Sequence, residues 1–125
     1  MQGAVWNFPS SEVGELRITL RIEGAGIKVR LCDHWMNPCD EYAGLYSIYD
    51  FDLDEKILPK GEWCEVIIKF DANNFAEIYC KEKLLFKVPL KYLPKHGVSY
   101  LHMQTKAETH DYQGTLIKRL DFYKK

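Results

Sequence analysis

An all-β fold, two antiparallel sheets packed as a jelly-roll sandwich, is what these 125 residues predict. Three observations lead there. Turn-forming clusters recur about every eight to twelve residues, the rhythm of sandwiches and barrels. The runs between them alternate apolar and polar with the period of two that a half-buried strand requires. No stretch holds a helical period over a long helix.

Taken in order, Ala4-Val5-Trp6-Asn7-Phe8 is the first run, stopped by Pro9-Ser10-Ser11. Glu15 to Ile22 follows, with Leu16, Ile18, Leu20 and Ile22 facing in and Arg17, Thr19 and Arg21 facing out. Gly24-Ala25-Gly26 turns into Ile27 to Leu31, which alternates in the same way, so these two runs are expected to pair as a hairpin. Asp33 to Glu41 reads as a loop rich in turn formers, with Trp35 inside it. The next strand is expected over Leu45 to Leu53, with Tyr46, Ile48 and Asp50 on one phase and Leu45, Ser47, Tyr49 and Phe51 on the other. Leu58-Pro59-Lys60-Gly61 turns into a strand over Trp63 to Phe70. Asp71-Ala72-Asn73-Asn74 is a hairpin turn into Phe75 to Lys81, and Glu82-Lys83 turns again into Leu84 to Val88. Tyr92-Leu93-Pro94 reads as a short helical turn. Ser99 to Thr105 and Thr115 to Tyr123 close the sheets, for about nine or ten strands in all.

Composition narrows the function classes. A chain of this length makes one domain, residues 1–125, that buries about two-thirds of its unfolded surface. With 46% hydrophobic and 28% charged residues it is globular rather than disordered. A formal net charge of -1 supplies no basic field for nucleic acid. No apolar run is long enough to span a membrane, and Met1-Gln2-Gly3-Ala4 lacks the regions of a signal peptide. The cysteines, Cys32, Cys39, Cys64 and Cys80, contain no C-x-x-C pair, which argues against a zinc knuckle or a redox couple. Cys64 and Cys80 fall on apolar strand phases and read as buried thiols; a Cys32–Cys39 closure stays open.

Catalysis has one candidate. Asp50, Asp52 and Asp54 occupy one strand phase, which resembles the acidic strand of jelly-roll glucanases, where paired carboxylates act as nucleophile and acid/base. The glucanase pattern has glutamates at its ends where this chain has aspartates, so the reading of a small glycoside hydrolase ranks last. A calcium site could draw on Asp33, Asn37, Asp40 and Glu41, all hard oxygen donors, but the same residues serve ordinary turn chemistry.

Carbohydrate recognition has the best support. Sugars offer apolar C–H faces to aromatic rings and hydroxyls to amides, carboxylates and guanidinium groups. Aromatic residues are 14% of the chain, including eight tyrosines and three tryptophans. Trp35 lies in a polar loop, where a core role is less natural than for Trp6 or Trp63. In Tyr100-Leu101-His102-Met103-Gln104 a ring, an imidazole and an amide share one strand face. Joined to Arg17, Thr19 and Arg21, they would line a shallow groove. The expected ligand residues are Trp35 and Tyr100 for stacking, His102 and Gln104 for hydroxyls, and Arg17, Arg21 and Asp33 behind them. The arginines would grip a carboxylate if the sugar is acidic. The same residues also fit the plain wet face of a sandwich, or a face that docks on a neighbouring domain.

The order of Trp6-Asn7-Phe8-Pro9, Leu31-Cys32-Asp33, Asn37-Pro38-Cys39-Asp40, Gly61-Glu62-Trp63, Gly97 to Gln104 and Gly114-Thr115-Leu116-Ile117 resembles the concanavalin A-like (laminin G-like) sandwich modules found beside the β-propellers of bacterial sialidase-like glycoside hydrolases. The resemblance runs over nearly the whole chain in short pieces. It implies a non-catalytic accessory module, part of a larger extracellular or cell-surface carbohydrate-active enzyme, with an oligo- or polysaccharide and an adjacent catalytic domain as partners. The propeller's Ser-x-Asp-x-Gly-x-x-Trp repeats are absent, so hydrolysis would lie in another domain. No cofactor is implied beyond the calcium that often organises the loops of such lectins.

Overall fold

Nine strands and one short 3-10 turn make up the computed structural model, which describes residues 2–109 and 111–125. The strands are β1 (Gly3–Ser11), β2 (Val13–Ile22), β3 (Ile27–Cys32), β4 (Tyr49–Leu53), β5 (Trp63–Asp71), β6 (Ala76–Cys80), β7 (Lys83–Val88), β8 (Val98–Thr105) and β9 (Thr115–Lys124). They form two antiparallel sheets. Sheet A has the order β1-β8-β3-β4 and sheet B the order β7-β6-β5-β2-β9. Among the described residues no helix is long and apolar enough to cross a membrane.

The alternation read from the sequence decides what lies between the sheets. From sheet B come Leu16, Ile18, Leu20, Ile22, Val66, Ile68 and Ile78; from sheet A come Val29, Leu31, Tyr49, Leu53 and Leu101, all at most 1% exposed. Cys64 and Cys80 are buried in the same core, as their strand phase predicts. Aromatic pairs close the two sides where sheet edges meet. Phe8 of β1 lies 4.7 Å from Phe122 of β9, and Phe51 of β4 lies 5.7 Å from Phe86 of β7. The Tyr49 hydroxyl reaches the carbonyls of Asp71 (2.5 Å) and Asn74 (2.7 Å), pinning the β5–β6 turn of one sheet to a strand of the other. Burial pushes that phenol up to about 12, so it stays a neutral donor.

Four local expectations change. β2 and β3 are not a hairpin: they lie in different sheets, and residues 23–26 carry the chain from one layer to the other. That crossing is tethered to the loop before β9, since Glu23 N and Gly24 N both donate to the Gly114 carbonyl. Alternation marks which face of a strand is apolar but not which strand is its neighbour. β1 continues through Pro9 because it is an edge strand whose pairing with β8 breaks between Asn7 and Ser11, leaving the missing N–H without consequence. The expected strand over 45–53 begins only at Tyr49; Ala43–Tyr46 is a 3-10 turn, and Ile48 and Tyr49 are both fully buried rather than on opposite faces. Tyr92-Leu93-Pro94 forms no helical turn.

Candidate functional site

The outer face of sheet A carries the polar row of β8, Tyr100, His102 and Gln104. Arg30 of β3 pairs with His102 of β8 on one side and with Asp50 of β4 on the other, while Lys28 lies beside Gln104. This face is not open. The 33–47 connection between β3 and β4 folds back across it as a cover, leaving His102 1%, Gln104 2% and Arg30 4% exposed.

The buried polar atoms hold the cover by its backbone. His102 Nε2 lies 3.0 Å from the Asn37 carbonyl. Gln104 Nε2 donates to the carbonyls of Pro38 (3.0 Å) and Asp40 (2.6 Å), and Gln104 Oε1 accepts from Arg30 Nη1 at 2.7 Å. Arg30 Nε faces Asp50 at 3.4 Å, and Lys91 bridges Asp50 (3.3 Å) and the Gly44 carbonyl (2.5 Å). Burial lowers the basicity of His102, and the nearby Arg30 adds to the effect, so the imidazole sits neutral under the cover. Two glycines permit the close approach. A Cβ on Gly3 would stand 2.2 Å from the Pro38 carbonyl oxygen, and one on Gly44 would stand 2.9 Å from Asp50 Oδ2. Beneath the cover, Cys32, Met36 and Ala43 form a small second core against which half-buried Tyr100 packs. Burial pushes the unbridged Cys32 thiol up to about 12, which makes it inert.

The structure therefore separates the residues expected to share a groove. Tyr100, His102 and Gln104 lie on sheet A under the cover. Arg17 and Arg21 lie on the outer face of sheet B, with the core between the two sets. The six-residue groove does not form, because alternation assigned each residue to an outer face without saying which sheet it belonged to. On sheet B the arginines meet their own neighbours: Arg17 bonds Glu15 at 2.8 Å and lies over the Tyr123 ring at 5.0 Å, and Arg21 pairs with Glu23 and lies over Trp63 at 5.1 Å. Trp63 is thus an outward ring at 43% exposure, not a core residue.

Trp35 stands on the cover at 60% exposure, as a stacking ring must. Asp33 accepts from the Tyr92 hydroxyl (3.2 Å) and contacts His34 Nδ1 (2.7 Å). Of the proposed calcium ligands, Asn37 Oδ1 accepts from Cys39 N and Asp40 Oδ1 from Tyr42 N, both at 2.8 Å, which is turn chemistry. Among the described residues no three His, Cys, Asp or Glu side chains gather to hold a metal. Asp50 and Asp52 of β4 and Asp54 just after it each face a cation: Asp50 as above, and Asp52 and Asp54 both on Lys106. The Lys106 bond holds Asp54 below the usual carboxylate range, the wrong direction for a general acid.

One opening was not read from the sequence. Beside the cover, a cleft of about 370 Å³ is framed by Glu41, Tyr42 and Leu45 from the 33–47 segment and by Asp50 and Lys91 from below. Tyr42 and Leu45 at its rim are 59% and 71% exposed, and the expected strand over 45–53 hid this, because it gave Leu45 a place in a sheet.

No family model and no curated protein sequence matches this chain. Its fold does match solved structures. CG-16, a homodimeric agglutinin from chicken liver, is 16% identical and superposes with a TM-score of 0.62 over 97% of this chain and 99% of its own. A tetrameric galectin from the ball sponge Cinachyrella is 12% identical, with a TM-score of 0.63 over 98% and 99%. A sialidase is 10% identical, with a TM-score of 0.61 over 97% of this chain but 13% of its own. At these identities the likeness is one of fold: the chain is a two-layer antiparallel sandwich of the jelly-roll type that these structures share.

Proposed function

We propose that this protein is a carbohydrate-binding, lectin-like module without catalytic activity of its own. The observation that carries the reading is the cover itself, a polar loop that displays Trp35, Tyr42 and Tyr46 to solvent on a sandwich whose structural neighbours include an agglutinin and a galectin. Exposed rings on a loop held rigid by buried hydrogen bonds can stack on pyranose faces with little ordering cost. The ligand is an oligo- or polysaccharide that lies across the cover and not on the sheet beneath it. The pairing of Asp50, Asp52 and Asp54 with lysine and arginine supports binding over hydrolysis. In its finer form the proposal places the module outside the cell, beside the catalytic domain of a glycoside hydrolase.

A glycan array tests this. The expected result is retention of a subset of oligosaccharides, weakened by Trp35→Ala at unchanged thermal stability, because so exposed a side chain contributes little to folding. Tyr100→Ala, placed under the cover, should lower stability first. A folded protein that retains no glycan would instead support the alternative, a docking sandwich; the sealing of sheet A's outer face is the observation in that reading's favour.

A further inference from the structure

We propose that the cleft framed by the 3-10 turn and the end of β4 is a subsite for one ring of a neutral saccharide. The inference rests on the carbohydrate-binding reading and narrows it to a place and a ligand class.

The charges of the cleft argue for neutrality. Two cations, Arg30 and Lys91, and two anions, Glu41 and Asp50, line it together. An anionic sugar would meet both carboxylates as it met the cations, and a cationic ligand would meet the reverse. Hydroxyl groups donate and accept, so a neutral ring can use all four side chains at once. The expectation of an acidic sugar depended on Arg17 and Arg21, and those lie on the other sheet.

The polar atoms are already positioned. Asp50 is held from one side by Arg30 Nε at 3.4 Å and from the other by Lys91 Nζ at 3.3 Å, yet its side chain keeps 25% exposure, leaving acceptor capacity toward the opening. The Arg30 side chain is 5% exposed, and its Nε, which makes no hydrogen bond, faces Asp50 as an ion pair, so the Arg30–Asp50–Lys91 row is fixed before any ligand arrives. Gly44 lets the 3-10 turn close on both groups, since a Cβ there would sit 2.9 Å from Asp50 Oδ2 and 3.3 Å from Arg30 Nη2. At the rim Tyr42 and Leu45 present exposed apolar surface to the C–H face of a ring. A volume of about 370 Å³ is at the small end of ligand sites and suits one or two rings. An open, shallow subsite of this kind binds at roughly millimolar Kd.

The test is a titration of the whole chain followed by backbone amide NMR shifts. The probes are methyl glycosides of galactose, glucose, mannose and N-acetylglucosamine, with glucuronate and N-acetylneuraminate as acidic counterparts. At least one neutral glycoside should move the amides of residues 41–45, 50 and 91. Tyr42→Ala, an exposed substitution that leaves the fold intact, should weaken that binding at least tenfold, and Gly44→Ala should weaken it by pushing the Asp50 carboxylate aside. Tighter binding of the acidic sugars would overturn the ligand class. Saccharide-dependent shifts gathered elsewhere, or unchanged affinity in Tyr42→Ala, would remove the cleft while leaving the carbohydrate reading standing. Silence toward every saccharide, free and on the array, would remove both.

Discussion

The outer faces of the two sheets begin from the same sequence pattern and end in opposite physical states. On sheet B, Arg17, Thr19 and Arg21 alternate with core residues and stay in contact with water; cation–π contacts and short-range ion pairs dress the surface, with Arg21 and Lys118 both over Trp63 and Lys69 over Tyr79. On sheet A, Arg30, His102 and Gln104 alternate in the same way yet are buried, because sixteen residues separate β3 from β4, 33–48, and most of them fold back as a lid of backbone carbonyls. The difference teaches that a polar strand phase marks an outer face and nothing more. Whether that face is a solvated surface, a ligand groove or the floor beneath a loop depends on what the rest of the chain lays over it.

The comparison breaks most readily at Gln104. Gln104→Leu removes three hydrogen bonds, leaving Arg30 Nη1 and two loop carbonyls without partners, and should cost about 3 kcal/mol in urea unfolding. The matching change on sheet B, Thr19→Ala, should stay within about 0.5 kcal/mol. Similar losses at the two sites would mean that the cover is not seated as described.

Acid sharpens the comparison next. Burial lowers the folded-state pKa of His102 below its unfolded value of about 6.5. The unfolded chain therefore takes up the proton first as pH falls. Stability should be full above about 6.5 and then decline, by up to about 1.4 kcal/mol per pH unit, until the folded-state pKa is passed. Arg30, Asp40 and Asp50 face the imidazole, so the slope belongs to this cluster. Urea midpoints between pH 7 and 5 should fall in the native protein and flatten in His102→Gln. A flat native profile would place His102 in water. The smallest effect should come from sheet B. Trp63→Ala removes a ring from two cations in the open and should cost about 0.5–1 kcal/mol, a loss that leaves sugar binding untouched.

Much of the fold was legible along the chain. Leu16, Ile18, Leu20 and Ile22 declare their inward face by period alone, as do Leu101 and Met103, and Cys64 and Cys80 follow the apolar phase of their strands. The site was less legible. Trp35 declares itself as a ring in a polar loop and is exposed, but the paired arginines, the histidine and the glutamine carried no mark of the sheet they would join. Tyr42 lies between the expected loop and strand and Leu45 at the start of that strand, and nothing local shows that they frame a cleft with Lys91, about fifty residues away in the chain.

The amino-acid sequence by itself determined the class of fold, the inner faces of β2, β3 and β8 and the burial of the thiols at 64 and 80, because each follows from a period of two and from short-range turn chemistry. Only the tertiary structure decided that β2 and β3 part into separate sheets, that the 33–47 segment seals one of two similar polar faces, and that Arg30, Asp50 and Lys91 meet. These are choices of partner between distant segments. They are made by complementary burial and by hydrogen bonds to backbone carbonyls, which every residue possesses and no residue type announces.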